Sequence, residues 1–211
     1  LVVGQYTNET LPVFKAVAAD QNAPLILAQE LTYPDFESDL KGRYQKYNKR
    51  TVLAALDQLI AIGFPLEQHH IERGLKNVQN HTGLMGRWQI MGYKPLLICD
   101  TAHNADGLAM TMEQLLTLRA KHVHLVLGFV SDKALEDILK LMPKSGIYYY
   151  CAPDNLRAIP VAHLSQKARA VGLKGEAYQS VQEALDEAFN QAESEDVIYV
   201  GGSTFVVAEV L

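Results

Sequence analysis

The order of apolar and polar positions divides the chain into short continuous apolar runs and longer amphipathic stretches. Continuous apolar runs are typical of strands that are covered on both faces, as in a parallel α/β sheet. They predict strands at about 95–100, 123–129, 146–151 and 197–201, with a weaker strand at 174–178. The stretches between them have helical periodicity and predict helices at about 105–120, 132–141, 160–170, 180–193 and from 204. This part of the chain is therefore expected to form repeated β-α units.

The residues before about 82 show a different order of elements. A strand at 1–4, a helix at about 9–21 and a strand at 25–28 come first, and a polar, aromatic linker follows. A helix is predicted at 46–62 and ends at Gly63, and its apolar face consists of Val52, Leu53, Leu56, Leu59 and Ile60. A shorter helix is predicted at about 67–78. We place a domain boundary near residue 82, which gives domains of 1–81 and 82–211.

Composition excludes several classes of protein. Apolar residues make up 48% of the chain and charged residues 20%, which is ordinary for a globular protein with a substantial core. A net charge of −5 argues against a nucleic-acid surface, and no apolar run approaches the roughly 20 residues that span a bilayer. The two cysteines, Cys99 and Cys151, end predicted strands and are interpreted as core residues. This pattern favours a reducing, cytoplasmic location.

The first residues suggest a piece of a longer protein. Leu1 is not a methionine, and residues 1–4 resemble the end of a strand that is already under way. We therefore expect the chain to be a C-terminal fragment.

Polar or glycine-rich residues follow each of the four strong strands. Open α/β sheets bind ligands beyond the carboxyl ends of their strands, so these loops are expected to meet at one cleft. They are the segments 100–103, 128–133, 152–157 and 201–204.

The turn Asp100–Asn104 places a carboxylate, an imidazole and an amide within five positions. Four interpretations are open: a metal site, an acid/base pair, a nucleotide contact, or a helix that is capped by Asn104. A metal site requires three or more convergent ligands, and only Asp100 and His103 are close together in the sequence. The residues therefore predict no metal site in this chain.

Two further segments have both a structural and a ligand-binding interpretation. Arg87 lies between Gly86 and Trp88, where it is either a surface residue stacked on the indole or a bidentate phosphate contact. Gly201-Gly202-Ser203 follows an apolar strand and is either a tight turn or an anion contact at the start of a helix.

The pair His122-x-His124 lies within a predicted strand, on one face of it. No acidic or cysteine partner is evident from the sequence, so the two residues are interpreted as ordinary surface or core histidines.

The ordered combination of these motifs resembles a known family. The segments 40–48, Gly86–Gln89, Asp100–Asn104, Asp132-Lys133, Arg157-Ala158 and Gly201–Ser203 occur in the order found in folylpolyglutamate synthase/dihydrofolate synthase, within the Mur ligase superfamily. The resemblance spans nearly the whole chain, and the D-x-A-H-N turn preceded by Gly-Arg-aromatic is its most specific part.

The resemblance implies an architecture. Residues 82–211 would be the C-terminal glutamate ligase domain, a Rossmann-like and mostly parallel sheet flanked by helices. Residues 1–81 would be the end of an α/β ATPase central domain. The phosphate loop and the magnesium ligands would then lie before Leu1, and the fragment alone would be inactive.

The resemblance also implies a reaction and a set of site residues. ATP would activate a folate carboxylate as an acyl phosphate, and the amino group of glutamate would then attack it. By similarity, Asn48, Arg87 and Asp100 would bind ATP, and His103 would be the catalytic residue near the phosphoryl and glutamate end. Further candidates for glutamate or anion binding are Ser203, Lys133 and Arg157.

The implied ligands are ATP with Mg²⁺, L-glutamate, and a reduced folate or dihydropteroate, with a monomeric protein and no nucleic-acid or membrane partner. Two alternatives stay open. One is a Mur-type ligase of peptidoglycan precursors, and the other is an α/β module that binds a nucleotide or anion without catalysis.

Overall fold

The computed structural model describes residues 1–130 and 135–211, which fall into two units, Leu1–Gly83 and Leu84–Leu211. The first unit consists of helices beside a two-stranded parallel sheet. Its elements are β1 (Val2–Val3), α1 (Leu11–Asp20), β2 (Ile26–Leu27), a 3₁₀ helix (Ala28–Glu30), α2 (Gln45–Ala61), α3 (Gln68–Lys76) and α4 (Val78–Thr82).

The single helix predicted at 67–78 is in fact two helices. Asn77 leaves the helical region at φ −130° and ψ 35°, and it lies between α3 and α4. Its side-chain amide donates to the carbonyl of Arg73 at 2.9 Å, which satisfies one of the carbonyls that a helix end leaves open. The periodicity of this segment does not reveal the break, because Asn in a short polar stretch is compatible with either arrangement.

The second unit contains a six-stranded sheet with helices between the strands. Its elements are β3 (Gln89–Tyr93), β4 (Leu96–Cys99), α5 (Ala105–Leu116), β5 (Val123–Leu127), α6 (Leu135–Leu141), β6 (Ile147–Tyr150), α7 (Val161–Ala170), β7 (Gly175–Ala177), α8 (Val181–Gln191), β8 (Val197–Gly201) and α9 (Thr204–Ala208). The predicted strands and helices are confirmed within the described residues, with shorter bounds. The predicted start of α6, at 132, lies outside them.

The strand order is β3-β4-β8-β5-β6-β7, and every pair except β3-β4 is parallel. The predicted mostly parallel α/β sheet is therefore confirmed. β3 was not predicted, because it is an antiparallel edge strand with a register shift between Ile90 and Gly92. Its residues are exposed or half-buried, so they carry neither a continuous apolar run nor a clean alternation.

Two apolar cores cover the two faces of this sheet. Leu125 and Leu127 of β5 pack into one core with side chains of α5, α6 and α7. Val126, which points to the opposite face, packs with α8 and α9. Alternation along a strand that is buried on both faces explains the continuous apolar runs in the sequence.

Both cysteines belong to the apolar core that contains Val126, and they are core residues as predicted. Cys99 and Cys151 are free thiols with no exposed surface. Burial raises the pKa of each thiol to about 12, with a smaller contribution from a nearby carboxylate. Neither thiol is therefore available as a thiolate nucleophile near neutral pH.

Candidate functional site

The carboxyl ends of four parallel strands lie side by side at one edge of the second unit's sheet. The order β4-β8-β5-β6 makes these ends neighbours. The amide of Asp100 donates to the carbonyl of Val200 at 3.1 Å, and a bridge between Val130 and Ala158 links two of the loops. Within the described residues, which leave out 131–134, the loops therefore lie at one edge of the sheet as predicted, and their meeting in one cleft stays a prediction.

Asp100 connects the two most specific motifs of the sequence. Its side chain is buried, and its Oδ2 accepts from the amide of Trp88 at 2.7 Å while its Oδ1 accepts from the amide of Ala102 at 2.8 Å. Gly86 and Trp88 both have left-handed backbones, at φ 69° and 51°. This conformation is uncommon for a residue with a bulky side chain. The carboxylate therefore fixes a strained loop against the turn that follows β4.

Arg87 projects from this loop between two constrained residues. Its Nη1 donates to Thr101 Oγ1 at 2.6 Å, its side chain is exposed, and no carboxylate of the described residues pairs with it. The indole of Trp88 is buried beside Tyr199, with 6.5 Å between ring centroids. The interpretation of Arg87 as stacked on Trp88 is therefore wrong, and the guanidinium faces solvent with several donors available.

His103 and Asn104 complete the turn. His103 is exposed, and its Nδ1 lies 3.0 Å from the carbonyl of Thr101. Because a carbonyl only accepts, this contact places the ring proton on Nδ1 and leaves Nε2 as an acceptor in the neutral ring. Asn104 Oδ1 accepts from the amide of Gly107 at 2.8 Å, so the predicted helix cap is confirmed.

The Gly201-Gly202-Ser203 segment forms a tight turn. Ser203 is buried, and its Oγ accepts from the amide of Phe205 at 3.1 Å as the cap of α9. Gly202 has φ 88°, and a Cβ there would lie 2.8 Å from the carbonyl oxygen of Gly128. The two glycines are thus required by close packing of strand ends, and the contact of Ser203 with glutamate stays a prediction.

Arg157 lies in an open cleft of about 560 Å³ between α6, α7 and the loop after β6. Its amide donates to Asn155 Oδ1 at 2.9 Å, which shapes the loop, and its side chain is exposed. Lys167 and Glu136 form an ion pair beside it. Lys133, the other predicted anion contact on this side, lies outside the described residues.

Asn48 belongs to the first unit, in the first turns of α2. Its side chain is exposed, and its Nδ2 donates to Gln45 Oε1 at 2.9 Å. It lines an open recess of about 450 Å³ together with Gly4, Gln5, Tyr47, Thr51 and Val52. Asn48 is therefore accessible from an open recess of the first unit.

Sequence reasoning missed the partner of the two histidines on β5. The buried carboxylate of Asp196 lies 3.3 Å from Nε2 of His124 and 3.3 Å from Nδ1 of His122. His124 is also buried, and its Nδ1 lies 2.8 Å from the hydroxyl of Tyr149. The sequence does not reveal this partner, because Asp196 immediately precedes β8, which pairs with β5 only in the folded sheet. The interpretation as surface or core histidines agrees with the structure, since His122 is exposed and His124 is buried.

Thr101 is a second residue that sequence reasoning missed. Its hydroxyl accepts from Arg87, its amide donates to the carbonyl of Gly86 at 2.9 Å, and its own carbonyl contacts His103. Threonine is too common in loops to attract notice, and its contact with Arg87 depends on the loop conformation.

Among residues 1–130 and 135–211, no group of three or more His, Cys, Asp or Glu side chains is arranged to hold a metal ion. No helix in that part of the chain is long and apolar enough to cross a bilayer.

Comparison with protein families shows the family of this chain. The family described as Mur ligase, glutamate ligase domain, matches residues 86–204, which is more than half of the chain and includes both the Arg87 loop and the Asp100 turn. The chain belongs to the Mur ligase family. The predicted family is therefore confirmed.

Curated relatives of this Mur ligase chain include two kinds of enzyme. It is 29% identical to a probable bifunctional folylpolyglutamate synthase/dihydropteroate synthase of Haloferax volcanii, over 90% of this chain and 22% of that protein. It is 31% identical to the dihydrofolate synthase/folylpolyglutamate synthase of Escherichia coli, over 78% of this chain and 37% of that protein. A UDP-N-acetylmuramoyl-L-alanyl-D-glutamate–2,6-diaminopimelate ligase of Listeria monocytogenes is 30% identical over 76% of this chain and 33% of that protein.

Solved structures give the same fold. Folylpolyglutamate synthase of Mycobacterium tuberculosis, complexed with ADP and AMPPCP, matches with a TM-score of 0.85 at 20% identity, over 98% of this chain and 53% of that one. A bifunctional folylpolyglutamate synthase/dihydrofolate synthase with Mn, AMPPNP and L-glutamate bound matches with a TM-score of 0.76 at 26% identity, over 99% of this chain and 52% of that one. The chain thus spans about half the length of these solved relatives and less of the curated ones.

Proposed function

We propose that the protein containing this chain is an ATP-dependent ligase that adds glutamate to a folate. In this proposal residues 82–211 are its glutamate ligase domain and residues 1–81 are the end of its ATPase central domain. The proposal includes Mg²⁺ as the metal that accompanies ATP, a reduced folate or dihydropteroate as acceptor, and a cytoplasmic monomer.

The observation that carries the proposal is the exposed Arg87 guanidinium at the carboxyl edge of a parallel sheet, where Arg87 and His103 both contact Thr101. A guanidinium binds phosphate oxygens through paired N–H donors, and this one has no carboxylate partner among the described residues. The hydroxyl of Thr101 accepts from this guanidinium, and Asp100 accepts from the amide of the neighbouring Trp88, so both residues restrain Arg87 in the absence of a ligand. Preorganised donors of this kind support phosphoryl-transfer chemistry, in which charge is spread over the phosphoryl oxygens.

The proposed reaction has two steps. A folate carboxylate oxygen attacks the γ-phosphorus of ATP, the bond to the β-phosphate bridging oxygen breaks, and ADP leaves. The amino nitrogen of glutamate then attacks the acyl carbon, phosphate leaves with the electrons of the C–O bond, and the nitrogen loses a proton. Nε2 of His103 is an acceptor in the neutral ring, which suits it to contact an ammonium or to accept a proton near this centre.

The remaining residues have supporting roles in the proposal. Asn48 is retained as the candidate that faces the adenine side of the nucleotide. Asp100 fixes the Arg87 loop, and its contact with ribose hydroxyls stays a prediction. Ser203 is retained as a candidate for holding glutamate, and Lys133 and Arg157 are retained as candidates for anion contacts.

The experiment that tests the proposal measures ADP release by the complete gene product. We expect release only when ATP, a folate and glutamate are all supplied, together with formation of a folate that carries one more glutamate. Equal release with a UDP-linked cell-wall precursor would support the alternative of a peptidoglycan ligase, which the similarity to the Listeria enzyme favours. Nucleotide binding without release under any of these conditions would support the non-catalytic alternative.

The site assignment is tested separately with Arg87→Ala. Loss of a charge-assisted hydrogen bond costs about 1.5–3 kcal/mol, so KM for ATP should rise about 10- to 100-fold. Arg119→Ala is the matched control, since Arg119 is also exposed. An unchanged KM for ATP in the Arg87 variant would remove this residue from the nucleotide site.

A further inference from the structure

Thr101 makes three contacts that converge on the Arg87 loop. Its hydroxyl accepts from Arg87 Nη1 at 2.6 Å, and its amide donates to the carbonyl of Gly86 at 2.9 Å. Its Cγ2 fills the space beneath Gly86, where an added Cβ would come within 2.7 Å of it. The threonine is buried, whereas the arginine that it contacts is exposed.

This difference in burial has a consequence for Arg87. An exposed arginine samples many rotamers, and binding a ligand in one of them costs conformational entropy. The hydroxyl of Thr101 is carried by a backbone that is fixed against the loop, because the Thr101 amide donates to the carbonyl of Gly86. A fixed acceptor for one N–H restricts the guanidinium while leaving its other donors to the ligand.

We propose that Thr101 is a positioning residue. It orients the Arg87 guanidinium toward the phosphates of the nucleotide and does not touch them itself. The inference rests on the proposed function, in which Arg87 binds ATP. It adds to that function a role for Thr101, whose side chain restricts the orientations of the Arg87 guanidinium.

The test uses the complete protein and compares Thr101→Val with Thr101→Ser. Valine keeps the branched shape and the methyl contact with Gly86 but removes the acceptor, whereas serine keeps the acceptor. We expect Thr101→Val to raise the Kd for ATP and its KM about 3- to 10-fold, as loss of one hydrogen bond predicts. Thr101→Ser should stay within about twofold of the parent protein, and KM for glutamate should be unchanged in both variants.

A double-mutant cycle with Arg87→Ala separates positioning from a general loss of structure. If Thr101 acts through Arg87, the double variant should bind ATP no more weakly than Arg87→Ala alone. Additive losses would overturn the inference, since Thr101 would then act independently of the arginine. Weak binding by Arg87→Ala with normal binding by Thr101→Val would also overturn it, while leaving the proposed function intact. Normal binding by Arg87→Ala would instead contradict the nucleotide role of Arg87 itself.

Discussion

At the residue scale, the conformation of the site depends on one buried carboxylate. Asp100 accepts from the amides of Trp88 and Ala102, one on each oxygen. Replacement by asparagine keeps the shape but turns one acceptor into a donor that faces an N–H group. Asp100→Asn is expected to lower the free energy of unfolding by about 1–3 kcal/mol, the cost of a buried unsatisfied polar group. Urea unfolding at neutral pH measures this change.

The matched control for this prediction is Asp154→Asn, because Asp154 is exposed in a neighbouring loop. Its unfolding free energy should stay within about 0.5 kcal/mol of the parent value. Equal stabilities of the Asp100 and Asp154 variants would contradict the role given to the Asp100 carboxylate.

The sequence predicted some residue-level features of this site because their partners are local. Asn104 caps α5 by accepting from the amide of Gly107, three residues ahead, so its role follows from its position before an amphipathic stretch. The contacts of Arg87 with Thr101 and of Trp88 with Asp100 join residues 14 and 12 positions apart. They depend on two left-handed residues in the loop, and such backbone angles are not encoded in any pattern of apolar positions.

At the element scale, the edge that carries the site depends on close approach of strand ends. A Cβ added to Gly128 would lie 2.6 Å from the carbonyl oxygen of Cys151 and 2.8 Å from Val206. Gly128→Ala is therefore expected to destabilise the second unit by about 1–3 kcal/mol through overpacking. Gly92→Ala is the control, because a Cβ there meets its nearest neighbours at 3.7 and 3.8 Å. Similar melting temperatures for the two variants would refute this account.

A second element-scale prediction concerns the amino end of the same strands. His124 of β5 contacts Tyr149 of β6 and Asp196 before β8, so three elements meet at one buried imidazole. Burial lowers the pKa of His124, although Asp196 opposes the shift. Burial disfavours the charge of Asp196, but the amides of Glu193 and His122 and the ring of His124 outweigh it and lower its pKa.

The sign of the pH effect follows from these directions. Below the ordinary histidine pKa of 6.5, the unfolded chain binds a proton that folded His124 takes up only at lower pH. The contribution of neutral His124 to the free energy of unfolding is complete above pH 6.5. It is lost as the pH falls from 6.5 to the pKa of His124 in the folded protein, by at most about 1.4 kcal/mol per pH unit. The shift of Asp196 acts in the same direction below its ordinary value of 3.8.

His124→Gln should therefore flatten the dependence of unfolding free energy on pH between about 7 and 5. Denaturant unfolding at several pH values measures the slope, with His163→Gln as the control at an exposed histidine. An unchanged slope in the His124 variant would show that this imidazole does not couple protonation to folding.

The elements themselves were largely predictable from the sequence, for a physical reason. Strands buried on both faces must be apolar at every position, and helices between them need one apolar face, so both leave strong patterns. β3 and the break at Asn77 leave only weak patterns of apolar positions in the sequence. An edge strand and a junction of two helices are stabilised by contacts that such a pattern does not show. The strand order, which brings Asp196 to His124, also depends on contacts between distant segments.

At the scale of the whole molecule, the two units differ in what they bury. The first unit buries mainly small side chains, and its buried apolar residues are Val3, Ala18, Ala28, Leu53, Ala54 and Leu75. Val13, Val17, Ile62 and Phe64 of the same unit are exposed. The second unit has two apolar cores, one on each face of its sheet, with fully buried tyrosines, phenylalanine and leucines. Most of the apolar burial described here therefore belongs to residues 84–211.

This difference predicts that residues 84–211 fold without residues 1–83. Both faces of the six-stranded sheet are covered by helices of the same unit, so separation removes none of the core contacts described above. The isolated second unit should unfold cooperatively, with slow hydrogen exchange in β4, β5 and β8, whereas residues 1–83 alone should show little protection. Hydrogen exchange and thermal unfolding of the two separately expressed segments measure this. Rapid exchange throughout 84–211, or aggregation of that segment alone, would mean that its sheet depends on residues 1–83.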